Sequence, residues 1–173
     1  MLQTKGLVIP YSANQTFMDN SPTIEYVALG RGLSSINGYT KYSGAKTITI
    51  PDTVTKIGLY AFYSNSKIEE LVIPSSVKNL ENRAFGSMTN LKKVIFKGSV
   101  EKISNQLFDN CRNVLIYDLS NFDSVPVLEN TNAFYNINKD AKILVPKDLY
   151  NEWILSENWS DSKIVNHITW VEK

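Results

Sequence analysis

"TITIPDTVTKIGLYAFYSNSKIEELVIPSSVKNLENRAFGS" (residues 47–87) states one phrase twice. Pro51 recurs as Pro74, Val54 as Val77, Ile57 as Leu80, and Ala61-Phe62 as Ala84-Phe85, each after 23 residues. The step continues from Val77 to Val100, Leu80 to Ile103 and Phe85 to Phe108. Three columns stay apolar in every copy: Ile48, Leu71, Val94, Tyr117; Ile50, Ile73, Phe96, Leu119; and Ile68, Leu91, Val114. The residues between them vary. A repeat period of this size is the signature of a solenoid. A unit so small cannot bury its apolar face alone, and gains a core only by stacking on its neighbours.

The pattern reaches towards both ends. "YVALGRGLSSING" (26–38) aligns with "TITIPDTVTKIGL" (47–59), and "GLVIP" (6–10) with "ELVIP" (70–74). "NVLIYDLSN" (113–121) opens a further copy, whose second half, "FDSVPVLENTNAFYNIN" (122–138), is about three residues longer; "AKILVP" (141–146) begins a last strand. About six turns of one unit result. In each, an alternating β-branched stretch such as "TITIP" reads as a strand. Its terminal proline cannot donate to a ladder and turns the chain away. "VTKI" reads as a second short extended piece, and "GLYAFYSNS" as a tight return.

The totals narrow the function classes. Of the 173 residues 43% are hydrophobic and 20% charged, which is ordinary for a globular domain. A net charge of +1 gives no support to nucleic-acid binding. No apolar run approaches the roughly 20 residues that span a bilayer. The start does not read as a signal peptide, so the expectation is an intracellular protein or a trimmed part of a longer one. The single cysteine excludes an intrachain disulfide.

The columns "IEELVIPSSVKNLENRAFGSM" (68–88) and "LKKVIFKGSVEKISNQLFDNC" (91–111) resemble the BspA-like leucine-rich repeat. The resemblance covers about residues 24–146. It departs at Lys97, where the repeat has Pro, at Leu107, where it has Ala, and in the extended fifth copy. It implies an α/β leucine-rich-repeat solenoid: a β-rich right-handed superhelix of about six 23-residue repeats, with parallel strands, short helical turns and a C-terminal helical cap. It also implies a bacterial cell-surface or secreted protein used for adhesion and protein–protein contact, and it brings no catalytic residues. Residues 1–173 are expected to form a single domain, with repeats over about 6–146 and a cap over 147–173.

In the cap, Leu149 and Trp153 lie four apart on one face, with Trp159, Ile164 and Trp170 as further apolar cover. At the other end "GLVIP" is a strand with no evident cap. Either the five leading residues fold over it, or more chain or a second copy meets it, giving a monomer or an edge-paired dimer.

Little chemistry stands out. The lone His167 and Cys111 could form a nucleophilic pair only within hydrogen-bond reach, and Cys111 shares an inward column with Asn65 and Met88. No metal, nucleotide or phosphate motif is present, and no cofactor is expected. Neighbouring carboxylates such as Glu69 and Glu70 point to opposite faces of a strand. The outward strand rows remain as the candidate binding surface. Thr47, Glu70, Lys93 and Ile116 form one row; Ala28, Thr49, Val72, Ile95, Asp118 and Leu144 form the next. The expected function is a non-enzymatic module binding a protein or glycan ligand, with host matrix or mucin as candidates. The rival reading is a structural spacer or distal domain of a larger surface or phage-tail assembly.

Overall fold

A computed structural model of the chain describes residues 6–9, 18–19, 25–30, 32–37, 41–42 and 44–172. The five leading residues lie outside this set. In chain order the strands are β1 (Gly6–Ile9), β2 (Met18–Asp19), β3 (Tyr26–Leu29), β4 (Ser35–Ile36), β5 (Lys41–Tyr42), β6 (Thr47–Thr49), β7 (Lys56–Ile57) and β8 (Glu70–Ile73). They continue with β9 (Asn79–Leu80), β10 (Lys93–Phe96), β11 (Lys102–Ile103), β12 (Ile116–Asp118), β13 (Val127–Leu128), β14 (Lys142–Pro146), helix α1 (Tyr150–Leu155) and β15 (Ile168–Val171).

The strands sort into parallel ladders with one rung per coil. The longer ladder runs β1-β3-β6 and then β8-β10-β12-β14-β15. Its two parts adjoin where the Glu69 amide donates to the Lys46 carbonyl at 3.1 Å. The shorter rungs pair as β2-β5, β4-β7-β9 and β11-β13. The register matches the repeat: Leu71, Val94, Tyr117, Ile143 and Ile168 share one column. Alternate residues of each rung face inward, as in β10, where Val94 and Phe96 are buried while Lys93 and Ile95 face out. The apolar columns therefore merge into one core running along the stack.

The return corners are strings of tight turns rather than helix. Ala61 donates to Gly58, Tyr63 to Tyr60 and Asn65 to Phe62. In successive coils Tyr60, Arg83 and Gln106, and again Ser64, Ser87 and Asn110, hold φ values between 54° and 61°. A right-handed helix cannot pass two left-handed residues four apart, and each costs roughly 1–2 kcal/mol. Bonds to the next coil offset that cost: Phe62 donates to the Ala84 carbonyl at 2.7 Å, Phe85 to Leu107 at 3.1 Å and Phe108 to Ala133 at 2.8 Å. Behind them the phenyl rings of Phe62, Phe85, Phe108 and Phe134 stack at 5.8, 5.6 and 5.9 Å. The longer fifth copy makes its corner as a 3₁₀ segment, Thr131–Phe134, capped by the Asn130 side chain.

The C-terminal segment closes the last coil with side chains. Trp159 packs on Phe134 at 5.9 Å and on Trp153 at 4.6 Å, and both indoles are buried together with Ile164. Three polar groups then take carbonyls that a further coil would otherwise bond: Trp159 Nε1 donates to Pro126 at 2.8 Å, Asn158 Nδ2 to Leu128 at 2.8 Å, and His167 Nδ1 to Ala141 at 2.8 Å. The α-helix of the cap is only six residues long. Trp170 differs from the expectation of apolar cover. It belongs to β15, which adds to the ladder beside β14, and it remains 46% exposed.

Ile73 is 1% exposed at the centre of this core. Ile73→Ala is expected to lower the unfolding free energy by about 2–5 kcal/mol. Thr49→Ala, on the outward side of the same ladder, should change it by less than about 0.5 kcal/mol. Urea titrations of both variants check the assignment of faces, and equal losses would contradict it.

Candidate functional site

The outward face of the longer ladder is built by register alone. Glu70, Lys93, Ile116 and Lys142 stand opposite one another across β8, β10, β12 and β14, and Val72, Ile95, Asp118, Leu144 and Thr169 form the adjoining row. At the other end of the ladder Tyr26 pairs with Thr47 and Ala28 with Thr49. All seven residues singled out for binding, Thr47, Thr49, Glu70, Val72, Lys93, Ile95 and Asp118, lie on this face. Thr47, Thr49 and Glu70 are exposed; Val72, Lys93, Ile95 and Asp118 are half-buried by their neighbours in adjacent coils. The apolar strip is therefore shallower than bare alternation suggests. Lys142 and Thr169 extend the two rows. They follow from carrying each row on through the longer fifth copy and into β15.

Charge is ordered along the stack too. Glu25, Lys46, Glu69 and Lys92 occupy one column with alternating sign, with Lys46–Glu25 at 4.0 Å and Lys92–Glu69 at 2.7 Å. The hydrogen bond from Lys92 holds the Glu69 carboxyl below its usual range. On the shorter rungs Lys56 meets Glu81 at 2.5 Å, and Glu81 also accepts from the Leu59 amide. Lys102 and the Asn105 amide treat Glu129 in the same way. Exposed pairs of this kind contribute little to stability, because solvent screens them.

The corner face carries a third array. Arg83 donates to the Tyr60 hydroxyl at 3.1 Å and to Gln106 at 3.0 Å, spanning three coils, and its guanidinium lies 5.8 Å from the centre of the Tyr60 ring. One column further on, Asp109 leans over Gly86, where an added Cβ would collide with its Oδ1 and press on the Tyr63 ring. Asp109 is 4% exposed, and its Oδ1 has no hydrogen-bond partner among the described residues. Burial pushes its carboxyl pKa up, opposed by Arg83 and by a bond from Asn110.

The remaining reactive groups have structural tasks. Cys111 is fully buried, donates to the Phe85 carbonyl at 3.2 Å, and has its thiol pushed up to about 12 by burial. A thiol in that state is not a nucleophile at neutral pH. His167 is committed to Ala141. Among the described residues, no three His, Cys, Asp or Glu side chains are placed to hold a metal ion, and no helix is long and apolar enough to cross a membrane. An open groove of about 620 Å³ lies between Phe122, Pro146, Leu149 and Val171, and one of about 550 Å³ beside Lys56, Glu81 and Lys102.

Parallel rungs at one per repeat, apolar columns and returning corners define a leucine-rich-repeat solenoid. Residues 12–140 match the BspA type Leucine rich repeat region in six copies, and the chain belongs to that family. No curated protein sequence matches it. Among solved structures it is similar to the pneumococcal vaccine antigen PcpA, with a TM-score of 0.60 and 14% identity over 98% of this chain. The chain spans 41% of the PcpA chain in that structure, and the likeness is one of fold.

Asp109 generates a pH prediction. A carboxyl whose pKa is raised on folding favours the folded state most when protonated, and that advantage is lost as pH rises through the raised pKa. Asp109→Asn is therefore expected to be more stable than the wild type at neutral pH, by about 1–3 kcal/mol. The difference should shrink as pH falls through the raised value towards the ordinary aspartate value of 3.8, and change no further below it. Denaturant midpoints measured across that range test it; a gap that widens on acidification would reverse the assignment.

Proposed function

We propose that the chain is a non-enzymatic binding module of a bacterial surface or extracellular protein, with residues 1–173 acting as one domain. The outward face of the longer ladder takes a protein or glycan ligand, with host matrix or mucin as the targets to try first. One observation carries this reading. Val72 and Ile95 stand side by side as a half-buried apolar strip, bordered by Glu70 and Lys93 and extended by Thr47, Thr49 and Asp118. An apolar strip with a charged border suits a partner that brings both apolar contact and complementary charge. The repeats add support, because between the copies of this chain the outward residues differ while the core columns stay apolar.

The rival role, a structural spacer or distal domain of a larger assembly, is favoured by a different feature, the β15 rung, which among the described residues pairs on one side only.

The test compares wild type with Val72→Glu/Ile95→Glu on immobilised matrix protein and mucin, with circular dichroism confirming that the variant folds. The expected result is capture by wild type and a loss of at least about tenfold in the variant. No capture by either form would move the assignment to the structural role.

A further inference from the structure

Among the described residues the shorter ladder ends on β13, and the cap finishes that rung. One coil earlier, the carbonyls of Glu101 and Ile103 accept from the Val127 and Glu129 amides. The corresponding carbonyls of β13, those of Pro126 and Leu128, accept instead from Trp159 Nε1 and Asn158 Nδ2. With those acceptors used and a proline at 126, the rung is a poor template for another strand.

Between β13 and the end of α1 lies a groove of about 400 Å³. Its apolar side is made by Val125, Val127 and Leu128, and Val127 is 65% exposed. Leu155, next in the chain to the groove residue Ser156, is 79% exposed. Three exposed glutamates, Glu129, Glu152 and Glu157, line the same groove, and among the described residues no lysine or arginine does. Glu129 already meets Lys102 at 3.5 Å and accepts from the Asn105 amide. The carboxylates of Glu152 and Glu157 meet no cation among the described residues. The imbalance runs through the cap: residues 147–172 hold five acidic residues against two lysines, in a chain whose net charge is +1.

Apolar surface beside unpaired carboxylates matches the two halves of a long basic side chain, whose stem lies on aliphatic groups while its head reaches the charge. A sugar ring fits less well. Trp159 is the one aromatic residue lining the groove, and it is fully buried, so it offers no face for stacking.

We propose that this groove docks a basic segment of a partner protein, one in which arginine or lysine alternates with an aliphatic residue. The cations meet Glu152 and Glu157, and the aliphatic side chains lie on Val127 and Leu155. The surface is separate from the strand face, because Val127 belongs to the shorter ladder and Val72 and Ile95 to the longer. Complementary charge sets the partner and makes the contact sensitive to salt.

Fluorescence anisotropy of a short labelled peptide of alternating arginine and leucine, titrated with the whole chain at low ionic strength, tests this. Wild type should bind it. Glu152→Gln/Glu157→Gln should weaken binding at least about tenfold. Because neither carboxylate has a native cation, that variant should keep the wild-type urea midpoint, which separates lost binding from lost folding. Val127→Ser should weaken binding about fivefold, and a peptide with serine in place of each leucine at least about tenfold. Glu70→Gln, on the strand face, should leave binding unchanged. No binding by wild type, equal binding by the double variant, or equal binding of the serine peptide would overturn the proposal. A loss in Glu70→Gln would also overturn it, by placing the peptide on the strand face.

Discussion

Backbone carbonyls that face along the stack must each meet a donor, and most of the architecture follows from that requirement. Within the repeats the next coil supplies the donor. Lys92 bonds to Glu69, Leu115 to Lys92 and Lys142 to Leu115, each step carrying the chain one rung further. At the last coil Ala141, next in that column, is met by an imidazole, and Leu128 and Pro126 on the shorter ladder are met by an amide and an indole side chain. A buried carbonyl left unmet costs about 1–3 kcal/mol. Three such groups at one end would cancel much of what a terminal coil gains by stacking.

Lateral packing reinforces the ladders. The stacked phenyl rings at the corners and the aliphatic columns behind the strands both repeat in phase with the backbone bonds, so a shift of one coil would break both sets together. That coupling tolerates the left-handed residues at each corner. It also tolerates Asp109, a carboxyl held in a buried position where Gly86 has no side chain. The outward face takes no part in this coupling, so the identities of Glu70, Lys93 and their neighbours are not set by it.

The columns and the facing of the strands were legible because both depend on period. Ile73, Phe96 and the Ala-Phe pairs recur in the sequence as they do in space. The corners were less so. "GLYAFYSNS" reads as a tight return, but Tyr60, Ser64 and Arg83 are neither glycine nor asparagine, so nothing in the stretch marks which residues are left-handed. Trp153, Trp159 and Ile164 announced themselves as apolar cover. The duties of Asn158 and His167 did not, because each bond reaches a carbonyl 26 or 30 residues away and leaves no local pattern. Trp170 misled for the same reason: an aromatic residue near a chain end reads as cover, and only register shows it to be a rung. On the candidate binding face, alternation placed Val72 and Ile95 outward. Their half-burial comes from neighbours 23 residues away, which no alternation pattern encodes.

Hydrogen exchange of Asn158→Ala beside the wild type tests the dependence on neighbour donors most directly. The account predicts faster exchange at Val127 and Glu129 and in the corner around Ala133, fading by Lys102 and Ile103, with Leu71 to Ile73 unchanged. Equal acceleration along the whole chain, or none anywhere, would contradict it.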